Sequence, residues 1–417
     1  MQQVTTEIIS IGNELLYGQT LDTNAHWLCT ALTQIGIKVV QTTTVGDEEE
    51  AILRALVAAT KRAAITITTG GLGPTQDDLT KQALVRYLNN ALVRCKQTRT
   101  DGQPTSQAEE NAPTPADSGP AAWLAHGSSI ANQLGTVPGV WLVQRGKVLI
   151  ALPGVPYAME QMMQDTVLPR LRKNFDLPAS YHKTIHTIGI AEPQLAALIK
   201  PWVAALPSHI QLAYLTALGT VRLRLTAVGT HLIQLQQQVL AQVHQLQSWA
   251  APYIYGYDED TLEAVVGRAL QVCGKTLAIA ESCSGGYASH LITRVPGSSA
   301  YYKGSIVPYQ NTAKQELLGI PAATLEQHGP VSSTTAIAMA KQVKAKFQAT
   351  IGLASTGIAG PSGGSATQPV GTVWIALADE QTSYAEQLQL GSHRCHNIQL
   401  TALYLLNLLR KSLLKAS

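Results

Sequence analysis

The chain has 417 residues, a net charge of +3, 45% hydrophobic and only 14% charged residues, which is enough for two or three domains with substantial cores. No Lys/Arg run argues for nucleic acid, no apolar stretch is long enough for a bilayer span, and the N-terminus lacks a signal-peptide pattern. The cysteines Cys29, Cys95, Cys273, Cys283 and Cys395 form neither a CxxC pair nor a regular framework, which suits a reducing compartment and makes the cytoplasm the expected location.

Residues 4–11 predict a first strand. Asp22 or Thr23 caps a helix with Trp27, Leu28, Ala31, Leu32 and Ile35 on its apolar side, and Gly36 ends it. IKVVQTTTV is a second strand; DEEE then opens a helix that buries Ile52, Leu53, Leu56 and Val57. A third strand, residues 63–69, runs into TTGGLGPTQDDLT. This alternation predicts a mainly parallel sheet with helices on both faces.

In that loop Gly70, Gly71 and Gly73 let backbone approach a ligand. Asp77 and Asp78 are adjacent carboxylates, able to hold a hard divalent cation against a phosphate, and Glu14, just beyond the first strand, reaches the same rim. The plainer reading makes both aspartates helix caps. The GK[ST] ending of a Walker loop is missing. Residues 97–122, rich in Pro, Gly, Ser and Thr, read as a surface loop or linker. GTVPGVWLVQRGKVLIALPG predicts a hairpin whose second strand is Val148–Leu152, and a helix over 157–171 packs Met159, Met162, Met163 and Val167.

The middle segment predicts strands at 181–188, 210–216 and 220–228, a helix from Pro193 through Ile199, and a glutamine-rich amphipathic helix starting near His231. Arg222 and Arg224 project from one strand face, and the module reads as a spacer.

Further on, Asp258 or Asp260 starts a helix bearing Leu262, Val265, Val266, Ala269 and Leu270. In TLAIAESCSGG, residues 277–280 read as a buried strand that Glu281 and Ser282 end; Gly285 and Gly286 turn the chain into a helix. SIVPY is the next strand. Thr312 with Gln315 has capping-box spacing and sets Lys314 in the first helical turn, where the dipole and burial disfavour its charge. The strand at 350–355 ends in a loop with Gly357, Gly360, Gly363 and Gly364, and with Ser355, Thr356 and Ser362 as donors, a phosphate-binding nest. Arg394 can hold the same phosphate or be a plain surface arginine. His328 reads as structural, and no cluster has zinc spacing.

A serine near a neutral lysine can do acyl chemistry without a histidine. Ser282 and Lys314 fit those roles, with the N–H groups of Cys283, Ser284, Gly285 and Gly286 as donors to an oxyanion. Cys283 is the rival nucleophile, since a thiol at a helix start can have a lowered pKa.

IISIGNELLYGQTLDTNAHWL, TTGGLGPTQDDLT, LPGVPYAME, AESCSGG, GSSAYYKGSIVPYQNTAK, STGIAGPSGG and PVGTVWIAL, in this order, resemble the CinA family over nearly the whole chain. The resemblance implies an α/β protein of three parts. Residues 1–172 would form a molybdopterin-binding-like three-layer domain, a metal-dependent ADP-ribose pyrophosphatase using Mg, Mn or Co. Residues 173–254 would form a small α+β linking domain. Residues 255–417 would form a PncC-like nicotinamide mononucleotide deamidase domain needing no cofactor. Its catalytic serine falls on Ser282, its lysine on Lys314, and a neighbouring tyrosine, which would orient the lysine or relay its proton, on Tyr309. Cys283 to Gly286, Thr356, Gly357, Gly360, Gly363, Gly364 and Arg394 would bind substrate. The N-terminal nucleotide site would comprise Gly12, Glu14, Gly70, Gly71, Gly73, Asp77, Asp78 and Gly154, with Glu14, Asp77 and Asp78 on the metal. Residues 97–122 lack the basic KQA-like stretch usual in the family, which weakens the pyrophosphatase expectation; SCSGG and GSHR are milder departures. A homodimer acting on pyridine nucleotide, with ADP-ribose as second ligand, is expected. A non-catalytic nucleotide-binding protein or a molybdenum-cofactor enzyme are the other readings.

Overall fold

The computed structural model describes residues 3–73, 78–88 and 127–416. Asp77, Cys95 and the 97–122 stretch lie outside the described residues. The chain divides into two compact units: the part through Tyr181 together with Ala227–Gln236, and His182–Thr226 together with the chain from Gln237 on.

The first unit holds a six-stranded sheet of order β2-β1-β3-β6-β5-β4. Its strands are β1 (Thr5–Ile11), β2 (Lys38–Val45), β3 (Ile65–Thr69), β4 (Gly127–Ile130), β5 (Gly139–Gln144) and β6 (Lys147–Leu152). β2, β1, β3 and β6 run parallel, while β5 is antiparallel to β6 and to β4. Helices are α1 (Asn13–Leu16), α2 (Thr23–Gln34), α3 (Glu49–Arg62), α4 over residues 80–88, α5 (Pro156–Met162) and α6 (Leu168–Asn174).

Alternate residues of β1 serve opposite faces. Ile8 joins Leu28, Leu32, Ile67, Met159 and Met162, whereas Ile9 and Ile11 join Ile52, Leu56 and Leu84. Each such side chain contributes about 1.5–3 kcal/mol when fully buried. Asp22 caps α2 by accepting from the N–H of Ala25, and Gly36 leaves it with φ +83°.

Two features differ from expectation. β4 is an edge strand of sequence GSSI, which carries no apolar alternation. The helix expected over 157–171 spans 156–174 and is interrupted by a π turn at Met163–Val167. Pro169, with no N–H to donate and a ring that crowds the preceding turn, accounts for this widening.

The second unit centres on two sheets. The smaller has the order β10-β7-β9-β8, with β7 (Ala179–Ile188), β8 (Ile210–Ala217), β9 (Thr220–Gly229) and β10 (Ile254–Tyr257). Its helices are α7 (Glu192–Ala204) and α8 (Leu232–Ala250). α7 continues past Ile199 and through Pro201 because Leu195, Ile199 and Trp202 bury one face and the Trp202 indole donates to the Gln242 carbonyl at 3.2 Å.

The larger sheet has the order β12-β11-β13-β14-β15. Its strands are β11 (Leu277–Glu281), β12 (Tyr302–Ile306), β13 (Ile351–Gly357), β14 (Thr372–Ala378) and β15 (Ser383–Gln389). β12, β11 and β13 are parallel; β14 and β15 are antiparallel additions. Around it lie α9 (Leu262–Val272), α10 (Tyr287–Thr293), α11 (Asn311–Leu318), α12 (Ala322–His328), α13 (Ser333–Lys346) and α14 (Arg394–Ala416).

The two faces of this sheet differ in side-chain size. Leu277, Ile279, Ile351 and Leu353 meet Val266 and Leu270 of α9 and Leu405 and Leu409 of α14. Ala278, Ala280, Ala354 and Ala376 meet Ala336, Met339 and Ala340 of α13. Alanine lets that helix come close: a Cβ on Gly352 would lie 2.0 Å from the Ala340 carbonyl oxygen.

Several expected boundaries shift. Thr261, not Asp258 or Asp260, caps α9; the Asp258 carboxylate accepts from Lys183 and the Thr184 N–H, and that of Asp260 from Arg268 and the Tyr257 N–H. β12 starts at Tyr302 and stops at Ile306, so Val307–Tyr309 lie outside the sheet; Pro308 cannot donate to a ladder. Gln310 is the N-cap of α11, so the Thr312–Gln315 capping box does not form, although the Lys314 N–H still closes the first turn onto the Gln310 carbonyl. β13 extends to Gly357, because its pairing with β14 continues to Val373.

Candidate active site

In the larger sheet the chain leaves β11 for β12 on one side and returns in β13 on the other. The crevice beyond the carboxyl ends of β11 and β13 is thus a topological switch point, where open α/β sheets bind ligands. Ser282 is the first residue beyond β11, and its N–H donates to the Ser355 carbonyl at 2.9 Å. Gly285 (φ +61°) and Gly286 (φ +95°) then turn the chain into α10. A Cβ on either would meet no atom closer than 3.8 Å, so backbone conformation rather than space calls for glycine here.

Lys314 reaches the same place from α11. It is 2% exposed, and its Nζ lies 3.2 Å from Ser282 Oγ and 3.1 Å from the Pro308 carbonyl oxygen. Burial pulls its pKa below the ordinary lysine value, with Cys283 opposing. A lysine held this way favours the neutral amine, the form that can accept the serine proton. Cys283 is buried as well, and burial pushes its thiol up to about 12. The lowered thiol pKa considered from sequence is therefore reversed, and thiolate attack is disfavoured.

In the sequence Glu281 marks only a strand end. It is fully buried. Its Oε2 accepts from Ser284 Oγ at 2.8 Å and from the N–H groups of Gly286 at 3.1 Å and Ala288 at 3.0 Å; its Oε1 accepts from the Ser289 N–H at 2.8 Å and the Ser289 hydroxyl. Ser284 also shares a 2.6 Å bond with Ser355 Oγ, which ties the turn to β13. A carboxylate at the positive start of a helix is favoured there, and an acid closing an apolar strand before SCSGG is the signal that sequence reading passed over.

Glu281 also narrows the choice of oxyanion donors. It takes the Gly286 N–H, and the Gly285 N–H closes the turn on the Ser282 carbonyl at 3.2 Å. Of the four N–H groups expected from sequence, that of Ser284 has no protein acceptor among the described residues, and that of Cys283 meets only its own sulfur. The amide just after the nucleophile is the usual donor at such elbows.

Tyr309 is 56% exposed, and its hydroxyl accepts from Arg394 Nη2 at 2.6 Å. The lysine is instead oriented by the carbonyl of Pro308, one residue before the tyrosine. Arg394 Nη1 donates to the Gly360 carbonyl at 2.8 Å, so this arginine joins the loop after β12 to the loop after β13. Thr356 is buried inside β13 and donates to the Pro330 carbonyl at 2.7 Å, so its hydroxyl is not a loop donor. Gly357 packs against Thr372 and Val373, and Gly360 (φ +86°) and Gly363 (φ +91°) shape the loop that leads to Gly364.

The first unit has its own switch point, beyond the carboxyl ends of β1 and β3. The loops there meet as bare backbone. A Cβ on Gly70 would lie 2.1 Å from the Ile11 carbonyl oxygen, and one on Gly154 would lie 3.3 Å from the Gly70 Cα. The carboxylate of Glu14 folds over Gly12, that of Asp78 over Gly73, and the Thr80 hydroxyl over Gly71. Asn24, unmarked in the sequence reading, donates to Thr69 Oγ1 at 3.0 Å and to the Gly154 carbonyl at 2.8 Å and so ties the ends of β3 and β6. Among the described residues no group of three or more His, Cys, Asp or Glu could hold a metal ion; Asp77 of the expected set is not among them.

Among the described residues no helix is long and apolar enough to cross a membrane. Three family models match the chain in series. The probable molybdopterin binding domain covers residues 7–173, the damage-inducible protein CinA KH domain 182–256, and the CinA C-terminal domain 259–413. A CinA-like protein of Amoebophilus asiaticus (strain 5a2) is 50% identical over 414 residues, 98% of this chain and 99% of that protein. A CinA-like protein of Cytophaga hutchinsonii is 43% identical over 410 residues, 98% of each. The solved structure of the competence/damage inducible protein CihA from Agrobacterium tumefaciens is 34% identical, covers 36% of this chain and 93% of its own, and has a TM-score of 0.36.

Proposed function

This chain belongs to the CinA family, with an N-terminal molybdopterin-binding-like sheet, a small α+β KH-type middle domain and a C-terminal α/β CinA domain, and from that premise we propose that its C-terminal domain is an amidohydrolase converting nicotinamide mononucleotide to nicotinic acid mononucleotide and ammonia. The observation that carries this reading is the buried 3.2 Å contact between Lys314 Nζ and Ser282 Oγ.

Neutral Lys314 takes the Ser282 proton as Oγ bonds to the carboxamide carbon. The oxyanion that forms faces the N–H groups of Cys283 and Ser284, donors fixed before the reaction. Lys314, now an ammonium, protonates the departing nitrogen, and the C–N bond breaks to give ammonia and a seryl ester. Water adds to the ester as Lys314 takes its proton; that proton returns to Ser282 Oγ as the acid leaves. The nucleotide's phosphate lies against the Gly357–Gly364 loop and Arg394, whose guanidinium Tyr309 orients. Purified full-length protein should release ammonia from nicotinamide mononucleotide, and rapid quench should trap an acyl group on Ser282. An adduct on Cys283, or full activity in Ser282→Ala, would overturn the assignment.

A second reading concerns the first unit, and it is favoured by the meeting of glycine backbones at the β1–β3 switch point. We infer a site there for a nucleotide diphosphate such as ADP-ribose. Glu14 and Asp78, with Asp77, offer the hard oxygen ligands that Mg, Mn or Co takes, and the ion would neutralise the diphosphate. ADP-ribose is titrated calorimetrically with and without metal, then against Asp78→Ala. Equal heats in all cases would remove the site.

A further inference from the structure

We infer that Asn397 is a positioning residue that makes the Gly357–Gly364 loop an anion receptor, and so sets the preference of the C-terminal site for a phosphorylated amide. The inference rests on the reading of that domain given above. Asn397 lies one helical turn beyond Arg394 in α14 and is 1% exposed. Its Nδ2 donates to the Ala359 carbonyl at 3.0 Å and to the Gly391 carbonyl at 2.8 Å. Both partners only accept, so the amide can sit in one orientation alone. It joins the loop after β13 to the segment that enters α14.

The consequence follows from peptide geometry. In a trans peptide the N–H points away from the C=O. With the Ala359 carbonyl turned onto Asn397, the Gly360 N–H faces away from α14. The next carbonyl, that of Gly360, is held by Arg394 at 2.8 Å. Two successive carbonyls are thus drawn to the first turn of α14. The N–H groups of Ala359, Gly360, Ser362, Gly363 and Gly364 have no protein acceptor among the described residues. Pro361, which has no N–H, divides them into two runs, Ala359–Gly360 and Ser362–Gly364, and successive free N–H groups in such runs form an anion-binding concavity. Had the Ala359–Gly360 peptide been reversed, a carbonyl oxygen would stand where an anion binds. A Cβ on Gly360 would lie 2.5 Å from Val370 and 3.1 Å from the Ser392 carbonyl oxygen, so the loop is seated firmly against the segment that Asn397 grips.

Two full-length variants test this. Asn397→Asp keeps the volume but cannot donate to the two carbonyls, and Asn397→Ala removes the group. Each is confirmed folded by thermal melting. KM and kcat are measured on nicotinamide mononucleotide and on nicotinamide riboside, which lacks the phosphate. In either folded variant, KM for the mononucleotide should rise about tenfold or more, the scale of one or two lost interactions. Turnover of the riboside should not change. An equal loss on both substrates, as general damage to the fold would give, overturns the inference, and so does an unchanged KM. If the wild type hydrolyses neither amide, the proposed reaction has failed and calorimetric binding of nicotinamide mononucleotide decides the inference alone. Wild-type binding weakened about tenfold or more in Asn397→Asp upholds it; equal binding, or none by the wild type, overturns it.

Discussion

The side chain of Lys314 approaches Ser282 to 3.2 Å at a point where the serine is 7% exposed and the lysine 2% exposed. Each group supplies what the other lacks. Ser282→Ala and Lys314→Ala should each lower turnover on the order of 10²–10⁴-fold or more, with substrate affinity by calorimetry largely kept. Cys283→Ala should keep most activity, since its thiol stays protonated up to about 12.

The depressed pKa of Lys314 gives activity a sign with pH. Only the neutral amine takes the serine proton, so kcat/KM should rise with pH through a midpoint below the ordinary lysine value. Stability follows the same direction: above the folded pKa and below the unfolded one, the unfolded chain binds more protons, so stability grows as pH rises. Urea midpoints of the wild type and Lys314→Met, compared across pH, should show the wild type gaining relative to the variant. Parallel curves would refute the buried-amine account.

Glu281 accepts from three backbone N–H groups and two hydroxyls. Glu281→Gln keeps the shape but turns an NH2 toward donors. Each donor left buried and unpaired costs about 1–3 kcal/mol. The variant should unfold at clearly lower urea and lose turnover, while Ser284→Ala, which removes one of the five donors, should lose less.

Gly70 and Gly18 separate crowding from backbone strain. Both have positive φ, +105° and +69°. A Cβ on Gly70 would collide with the Ile11 carbonyl oxygen, whereas one on Gly18 meets nothing within 4 Å. Gly18→Ala should cost only about 1–2 kcal/mol; Gly70→Ala should cost more and weaken ADP-ribose binding. Equal urea midpoints would contradict the close approach of β1 and β3 at the rim.

Sequence patterning located much of this architecture. Runs such as Leu277–Ala280 announce a buried strand by themselves, and Gly285–Gly286 announce the turn, because both signals are local. Lys314 was legible for the same reason, as a cation in a first helical turn. What escaped were groups whose partners lie far along the chain. Asn24 binds Gly154, 130 residues away, and Ser284 binds Ser355, 71 residues away. The Thr312 cap failed because Gln310, two residues earlier, already closes the helix start. No local rule tells which of two polar residues a loop will leave at the helix end. Tyr309 stands five residues before the lysine in sequence, but the loop turns its hydroxyl toward Arg394.

The unequal faces of the larger sheet bear on reactivity from below. Leu318 of α11 packs with Ala336 and Met339 of α13, which rests on the alanines of β11 and β13. The helix that carries the base thus stands on a helix whose height is fixed by methyl groups. An added methyl or two at Ala278 or Ala354 would lift that platform and lengthen the reach from amine to hydroxyl. The acid–base pair is gauged by residues that never touch it, and rate should respond to their bulk before the fold gives way.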